Sequence, residues 1–125
     1  MIDHITIDVN NLEESKKFYK KAFVPFGYKI SYEEKGEFLS FDIGNGALFI
    51  IRQYKGHSPL TSCHIAFRAE NPDKVHDFYK VALEAGGKDN GKPGPRPQYT
   101  ENYYACFIYD PNGHNIEAVF DKWEK

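Results

Sequence analysis

Shifting the sequence against itself by 60 residues brings His4-Ile5 onto His64-Ile65 and Asn11 onto Asn71. It also brings Phe18-Tyr19-Lys20 onto Phe78-Tyr79-Lys80, Ala22 onto Ala82 and Gly27 onto Gly87. A constant offset over that many positions marks a duplicated unit. Two copies must build equivalent elements, and a chain of 125 residues has room for one hydrophobic core. The reading is a single α+β domain over residues 1–125, made of modules 1–60 and 61–125.

Each module opens with a strand. From Ile2 to Val9, Ile5, Ile7 and Val9 alternate with His4, Thr6 and Asp8; from Cys63 to Ala69, Cys63, Ile65 and Phe67 alternate with His64, Ala66 and Arg68. A helix follows in each. Asn10 and Asn11 stand three residues ahead of Glu13 and Glu14 in a capping-box pattern, with Leu12, Phe18, Tyr19, Ala22 and Phe23 as the buried stripe and Pro25 and Gly27 as the stop. In the second copy Asn71 caps, Pro72 suits the first turn, Val75, Phe78, Tyr79 and Ala82 face inward, and Gly86-Gly87 ends the helix. The remaining strands are expected at Gly27–Glu33, Glu37–Ile43 and Ala47–Tyr54, then loosely near Gly87, at Tyr103–Tyr109 and at His114–Phe120. Asp110-Pro111-Asn112-Gly113 has the residue order of a type I turn.

Composition excludes several partners. Net charge is -2, and the densest basic stretch, Lys16, Lys17, Lys20 and Lys21, follows two glutamates on a helix, which reads as a solvated face. Nucleic-acid binding needs clustered positive charge, so none is expected. The longest apolar run, Ala47 to Ile51, is too short to span a bilayer, and the N-terminus lacks the apolar stretch of a signal peptide. Two strand cysteines, Cys63 and Cys106, suggest buried thiols in a reducing cytoplasm.

The repeat places His4 and His64 at matching points of matching strands. Glu117 lies four residues past the turn glycine Gly113, and Ile50 lies four past Gly46. Two imidazoles and a carboxylate thus occupy equivalent positions, with an apolar residue at the fourth. Two His and one carboxylate form a facial ligand set that leaves coordination sites open for substrate or water. Taken singly, a strand histidine is more often a hydrogen-bonded structural residue, and a glutamate at a strand end is more often solvated.

The strand Asp3-His4-Ile5-Thr6-Ile7, the strand Cys63-His64-Ile65-Ala66-Phe67 and the closing Tyr109-Asp-Pro-Asn-Gly-His-Asn-Ile-Glu117 carry a resemblance to the glyoxalase / bleomycin resistance / extradiol dioxygenase (vicinal oxygen chelate) superfamily along nearly the whole chain. The resemblance implies two tandem βαβββ modules whose curved sheets form a cleft, within one chain or across a homodimer. It also implies one divalent metal there, such as Zn, Ni, Mn or Fe(II), and a small-molecule substrate chelated through adjacent oxygens. The superfamily's metal positions fall on His4, Ile50, His64 and Glu117, so the implied ligands are His4, His64 and Glu117, with Glu117 also catalytic. Glyoxalase I enzymes carry a ligand, usually Glu, where this chain has Ile50, which speaks against lactoylglutathione lyase activity. Extradiol dioxygenases use a His, His, Glu set. Fosfomycin-modifying members tend to carry basic residues near the C-terminus, where only Lys122 and Lys125 follow Glu117. Bleomycin-resistance-like members bind a ligand in an aromatic cleft without a metal, and the 10 Phe and 9 Tyr suit that reading or an ordinary core.

Between Lys88 and Tyr104 lie Gly91, Pro93, Gly94, Pro95 and Pro97, which rule out a regular strand interior. Long irregular segments often carry function. Arg96, Tyr99, Tyr103 and Tyr104 are therefore candidate substrate contacts, Arg96 for an anionic group, and Ile50, at the fourth repeat-related position, is a further one from the cleft. The alternative is a surface loop whose tyrosines pack on the domain.

Overall fold

The computed structural model describes residues 2–122; Lys125, weighed above as a basic residue following Glu117, lies outside them. The first module runs β1 (His4–Val9), α1 (Leu12–Ala22), a 3-10 turn at Val24–Phe26, β2 (Lys29–Glu34), β3 (Phe38–Asp42) and β4 (Leu48–Gln53). The second runs β5 (His64–Arg68), α2 (Pro72–Glu84), β6 (Lys88–Pro95), β7 (Tyr104–Tyr109) and β8 (Asn115–Phe120). Each module folds into its own four-stranded sheet, ordered β1-β4-β3-β2 and β5-β8-β7-β6. In both, the first strand pairs parallel with the last.

The helices start where the asparagines stand. Asn11 accepts from the Glu14 amide at 3.1 Å, and Asn71 from the Lys74 amide at 2.9 Å. Each cap satisfies an amide that the first helical turn leaves without a partner. Glu13 and Glu14 in the first turn of α1 and Lys20 and Lys21 in its last complement the helix dipole. At the exit of α2 a side chain at Gly87 would collide with Ile108 Cγ2 at 2.7 Å and Phe18 Cε1 at 2.9 Å, so the chain presses flush against both neighbours.

The modules share one core. Phe18, Tyr19 and Phe23 of the first pack with Phe41 and Phe49 of its sheet, while Val75, Phe78 and Ala82 cover Cys106, Ile108 and Ile116. Aromatic rings join the halves: Phe67 lies 5.1 Å from Phe23 and 5.4 Å from Phe49, and Phe26 lies 5.4 Å from Phe78. Alternation decides what remains outside. Ile5, Ile7 and Val9 of β1, and Ile65 and Phe67 of β5, belong to the core, so His4 and Thr6, like His64 and Ala66, occupy the faces turned away from it.

Two expectations need correction. Lys88–Pro95 is a strand after all: β6 is the edge of its sheet, and its pairing with β7 shifts register between Asp89 and Gly91 and again between Gly91 and Gly94. An edge strand with bulges tolerates the prolines and glycines that a central strand would reject. Cys63 falls one residue ahead of β5, and both cysteines are free, Cys106 buried and Cys63 half-buried. Among the described residues no helix is long and apolar enough to cross a membrane.

Candidate metal centre

The parallel pairing of β5 with β8 sets His64 against Asn115 and Ala66 against Glu117. His64 and Glu117 therefore share a face, and their side chains meet: Nε2 of His64 lies 3.0 Å from Oε1 of Glu117. Glu117 is 2% exposed, whereas the His64 side chain is 49% exposed. Nδ1 of His64 lies 3.0 Å from the Asn115 carbonyl, which only accepts, so Nδ1 carries a proton and donates it. In neutral imidazole that leaves Nε2 a lone pair. Two acceptors then face each other at 3.0 Å, an arrangement that calls for a cation between them, a proton or a metal ion. Histidines that hold metals characteristically donate their other ring N–H to a carbonyl or carboxylate.

His4 is prepared the same way. Its Nδ1 lies 2.7 Å from Oδ1 of Asp3, leaving Nε2 outward. Yet His4 does not join the pair within one chain: among the described residues no three His, Cys, Asp or Glu side chains gather closely enough to hold a metal ion. The chain presents two half-sets, His64 with Glu117 on one sheet face and His4 on the other. Ile50 stands opposite Thr6 in the first sheet, with Ser40 of β3 on its far side.

The remaining candidates come from the glycine–proline segment. The hydroxyl of Tyr103 donates to Oε2 of Glu117. Burial, and then the neighbouring Glu117, hold that phenol well above the ordinary tyrosine range. Tyr99, 58% exposed, meets the Tyr103 ring edge-on at 5.0 Å. Arg96 lies over the ring of Phe107 at 5.5 Å. Its terminal nitrogens donate to the carbonyls of Gly94, Pro95 and Lys92 at 2.9, 3.3 and 2.7 Å. Those contacts tie both terminal nitrogens to the backbone of β6.

His114, placed by the sequence at the start of a strand just past the turn, is 2% exposed. Its Nε2 donates to the Asp8 carbonyl at 2.8 Å, and its Nδ1 accepts from the Cys63 amide at 3.1 Å. Its own amide donates to Asp110 Oδ1 at 2.9 Å, and Tyr19 donates to Asp110 Oδ2 at 2.6 Å. Asn112 adds an acceptor for the Asn10 amide and a donor to Ser15 Oγ. The Asp-Pro-Asn-Gly-His turn of one module is thus bolted to the first strand and helix of the other. The available signal was the tyrosine on the buried stripe of α1, since a fully buried phenol needs a polar partner. A cavity of about 530 Å³ runs beside this seam, lined by Thr6, Asp8, Tyr54, Cys63, His64 and His114; it reaches His64 but not Glu117.

The sequence model of the Glyoxalase/Bleomycin resistance protein/Dioxygenase superfamily matches residues 1–118. A metallothiol transferase, FosB, from Shouchella clausii is 29% identical over 124 residues, covering 94% of this chain and 77% of that protein. The crystal structure of a glyoxalase/bleomycin resistance protein from Albidiferax ferrireducens superposes with a TM-score of 0.82 at 25% identity, covering 97% of this chain and 98% of that one. A lactoylglutathione lyase from Agrobacterium tumefaciens superposes with a TM-score of 0.74 at 16% identity, over 98% and 94% of the two chains, a likeness of fold alone.

Proposed function

The chain belongs to the Glyoxalase/Bleomycin resistance protein/Dioxygenase superfamily, and from that premise we propose that it is a divalent-metal-dependent enzyme acting on a small substrate chelated through adjacent oxygens. The observation that supports this best is the facing of His64 Nε2 and Glu117 Oε1 at 3.0 Å with Nδ1 already committed to a carbonyl. The donors suit Zn, Ni, Mn or Fe(II): imidazole nitrogen and carboxylate oxygen serve all four.

His64 and Glu117 supply two ligands, and His4 of the partner subunit supplies the third in a homodimer. The half-sets lie on sheet faces turned away from the shared core, so a second copy brings them together without disturbing either module. A bound metal supplies Lewis-acid polarisation of a substrate oxygen. Glu117 orients the complex and, being buried, keeps water from its carboxylate. Ile50 offers no ligand and no base, which leaves one coordination position to substrate and weighs against efficient hemithioacetal isomerisation.

A second reading, metal-assisted addition of a thiol to an electrophile, draws on the similarity to a metallothiol transferase. The test begins with metal analysis of protein purified without chelator, where about one divalent ion per chain is expected. The loaded protein is then assayed for hemithioacetal isomerisation, for ring opening of catechols with dioxygen, and for thiol addition to epoxides. Protein that neither retains nor takes up a divalent ion contradicts the enzyme reading and favours a metal-free ligand-binding module.

A further inference from the structure

Glu117 raises a demand that His64 alone does not meet. A carboxylate has two oxygens, and in a site this buried each needs a partner. Oε1 faces His64, and Oε2 takes the hydroxyl of Tyr103. We propose that Tyr103 is the positioning residue of the metal centre, holding the Glu117 carboxylate so that Oε1 stays turned toward the ligand nitrogen of His64. The proposal rests on the metal reading above and deepens it.

The sheet explains the reach. Phe107 is the cross-strand partner of Glu117, so Tyr103 lies two pleats away along the same chain. Between them on that face stands Ala105, opposite Val119. Cys106 turns the other way, its thiol toward the Val75 carbonyl of α2. A methyl group at position 105 leaves a lane along the strand for the tyrosine ring; a branched side chain there would close it.

The glycine–proline segment explains the rigidity. The Arg96 amide donates to the Tyr103 carbonyl at 2.7 Å, the Tyr99 amide to the Arg96 carbonyl at 3.0 Å, and the Tyr103 amide to the Thr100 carbonyl at 3.2 Å. Thr100 Oγ1 donates to Asp121 Oδ2 at 2.8 Å, tying the turn to the end of β8. The Arg96 guanidinium gathers three carbonyls of β6 while lying on Phe107. Gly91 lets this stack sit close, since a side chain there would meet Phe107 Cδ2 at 2.9 Å. The segment is thus a braced bracket that ends in the Tyr103 hydroxyl. Groups that orient a metal ligand do so best when their own position is locked in this way.

The test compares wild-type protein with Tyr103→Phe, using cobalt(II) as a spectroscopic probe and zinc for affinity, with the melting temperature of the metal-free proteins measured alongside. The proposal expects Tyr103→Phe to bind zinc about tenfold or more weakly, with a shifted cobalt absorption band, and a metal-free melting temperature lowered only modestly, by the loss of the donor to Glu117 Oε2. Equal affinity and an unchanged cobalt spectrum would overturn the positioning role while leaving the metal reading intact. A melting temperature lowered by as much as the zinc loss, with an unshifted band, assigns Tyr103 a structural role and overturns the proposal too. If wild-type protein takes up neither ion, the metal reading itself fails and this proposal falls with it.

Discussion

Ile50 stands opposite Thr6 in the first sheet as Glu117 stands opposite Ala66 in the second. Thr6 and Ala66 are one repeat apart, so the apolar side chain and the carboxylate hold equivalent stations on equivalent sheets. Ile50→Glu should therefore add a fourth ligand. Without metal the mutant carries an unpaired carboxylate on a half-buried site and should melt below wild type. At the same saturating concentration, added zinc or nickel should return more stability to the mutant than to wild type, about 1.4 kcal/mol more for each tenfold tightening of Kd. Equal metal-dependent gains in melting temperature would place Ile50 outside the centre.

Glu117→Gln separates charge from shape. The amide can still accept from Tyr103, but it removes a desolvated carboxylate. Metal-free Glu117→Gln is expected to melt at or above the wild-type temperature, because burying a charge costs more than burying an amide. Its metal-induced gain should vanish. Scanning calorimetry with and without zinc checks both halves; a mutant that keeps the full gain removes Glu117 from the ligand set.

Alkaline pH should expose the Tyr19–Asp110 pair. Burial first, and then the Asp110 carboxylate, raise the Tyr19 phenol well above its ordinary range. A group whose folded pKa is raised contributes stability that is present below its unfolded value, about 10 for tyrosine. That stability is lost as pH climbs toward the folded value. Tyr19→Phe should cost about 1–3 kcal/mol near neutral pH by leaving Asp110 Oδ2 without its donor. It should also flatten the fall in stability above pH 10. Urea unfolding between pH 7 and 11 reads this directly, and parallel curves for the two proteins would contradict it.

His114→Ala removes the two ring contacts that join the turn at Asp110 to Asp8 and Cys63. The expected loss is about 2–4 kcal/mol, since it leaves buried backbone groups unpaired as well as a cavity. Hydrogen exchange should speed up at the Cys63 amide first. A loss below 0.5 kcal/mol, the range of ordinary surface substitutions, would mean that His114 contributes little to holding the modules together.

Much of this was legible before the fold was known, and the reasons are local. The 60-residue repeat, the asparagine caps and the period-2 faces of the opening strands depend on neighbours in sequence, and each reappears in the structure. The register that matches Ile50 with Glu117 follows from equal distances to Gly46 and Gly113. The illegible parts are non-local. Pro93 and Gly94 read as strand breakers because nothing in the sequence says that β6 is an edge with bulges. The joining role of His114 is not visible in sequence because its partners, Asp8 and Cys63, lie 106 and 51 residues away. The alternation placed His4 and His64 on outward faces, but module packing alone decides that those faces do not meet within one chain.

The central claim is a metal centre shared between two copies, and mixing two broken proteins tests it. His4→Ala and Glu117→Ala should each fail to bind zinc alone. Co-refolded at equal amounts, half of the dimers pair one variant with the other, and each such dimer rebuilds one site from His4 of one copy with His64 and Glu117 of its partner. The mixture should regain roughly a quarter of the wild-type zinc stoichiometry, as expected for a two-fold symmetric dimer with random pairing. A mixture that binds no zinc, when refolded wild type binds it fully, would contradict a centre shared across the dimer.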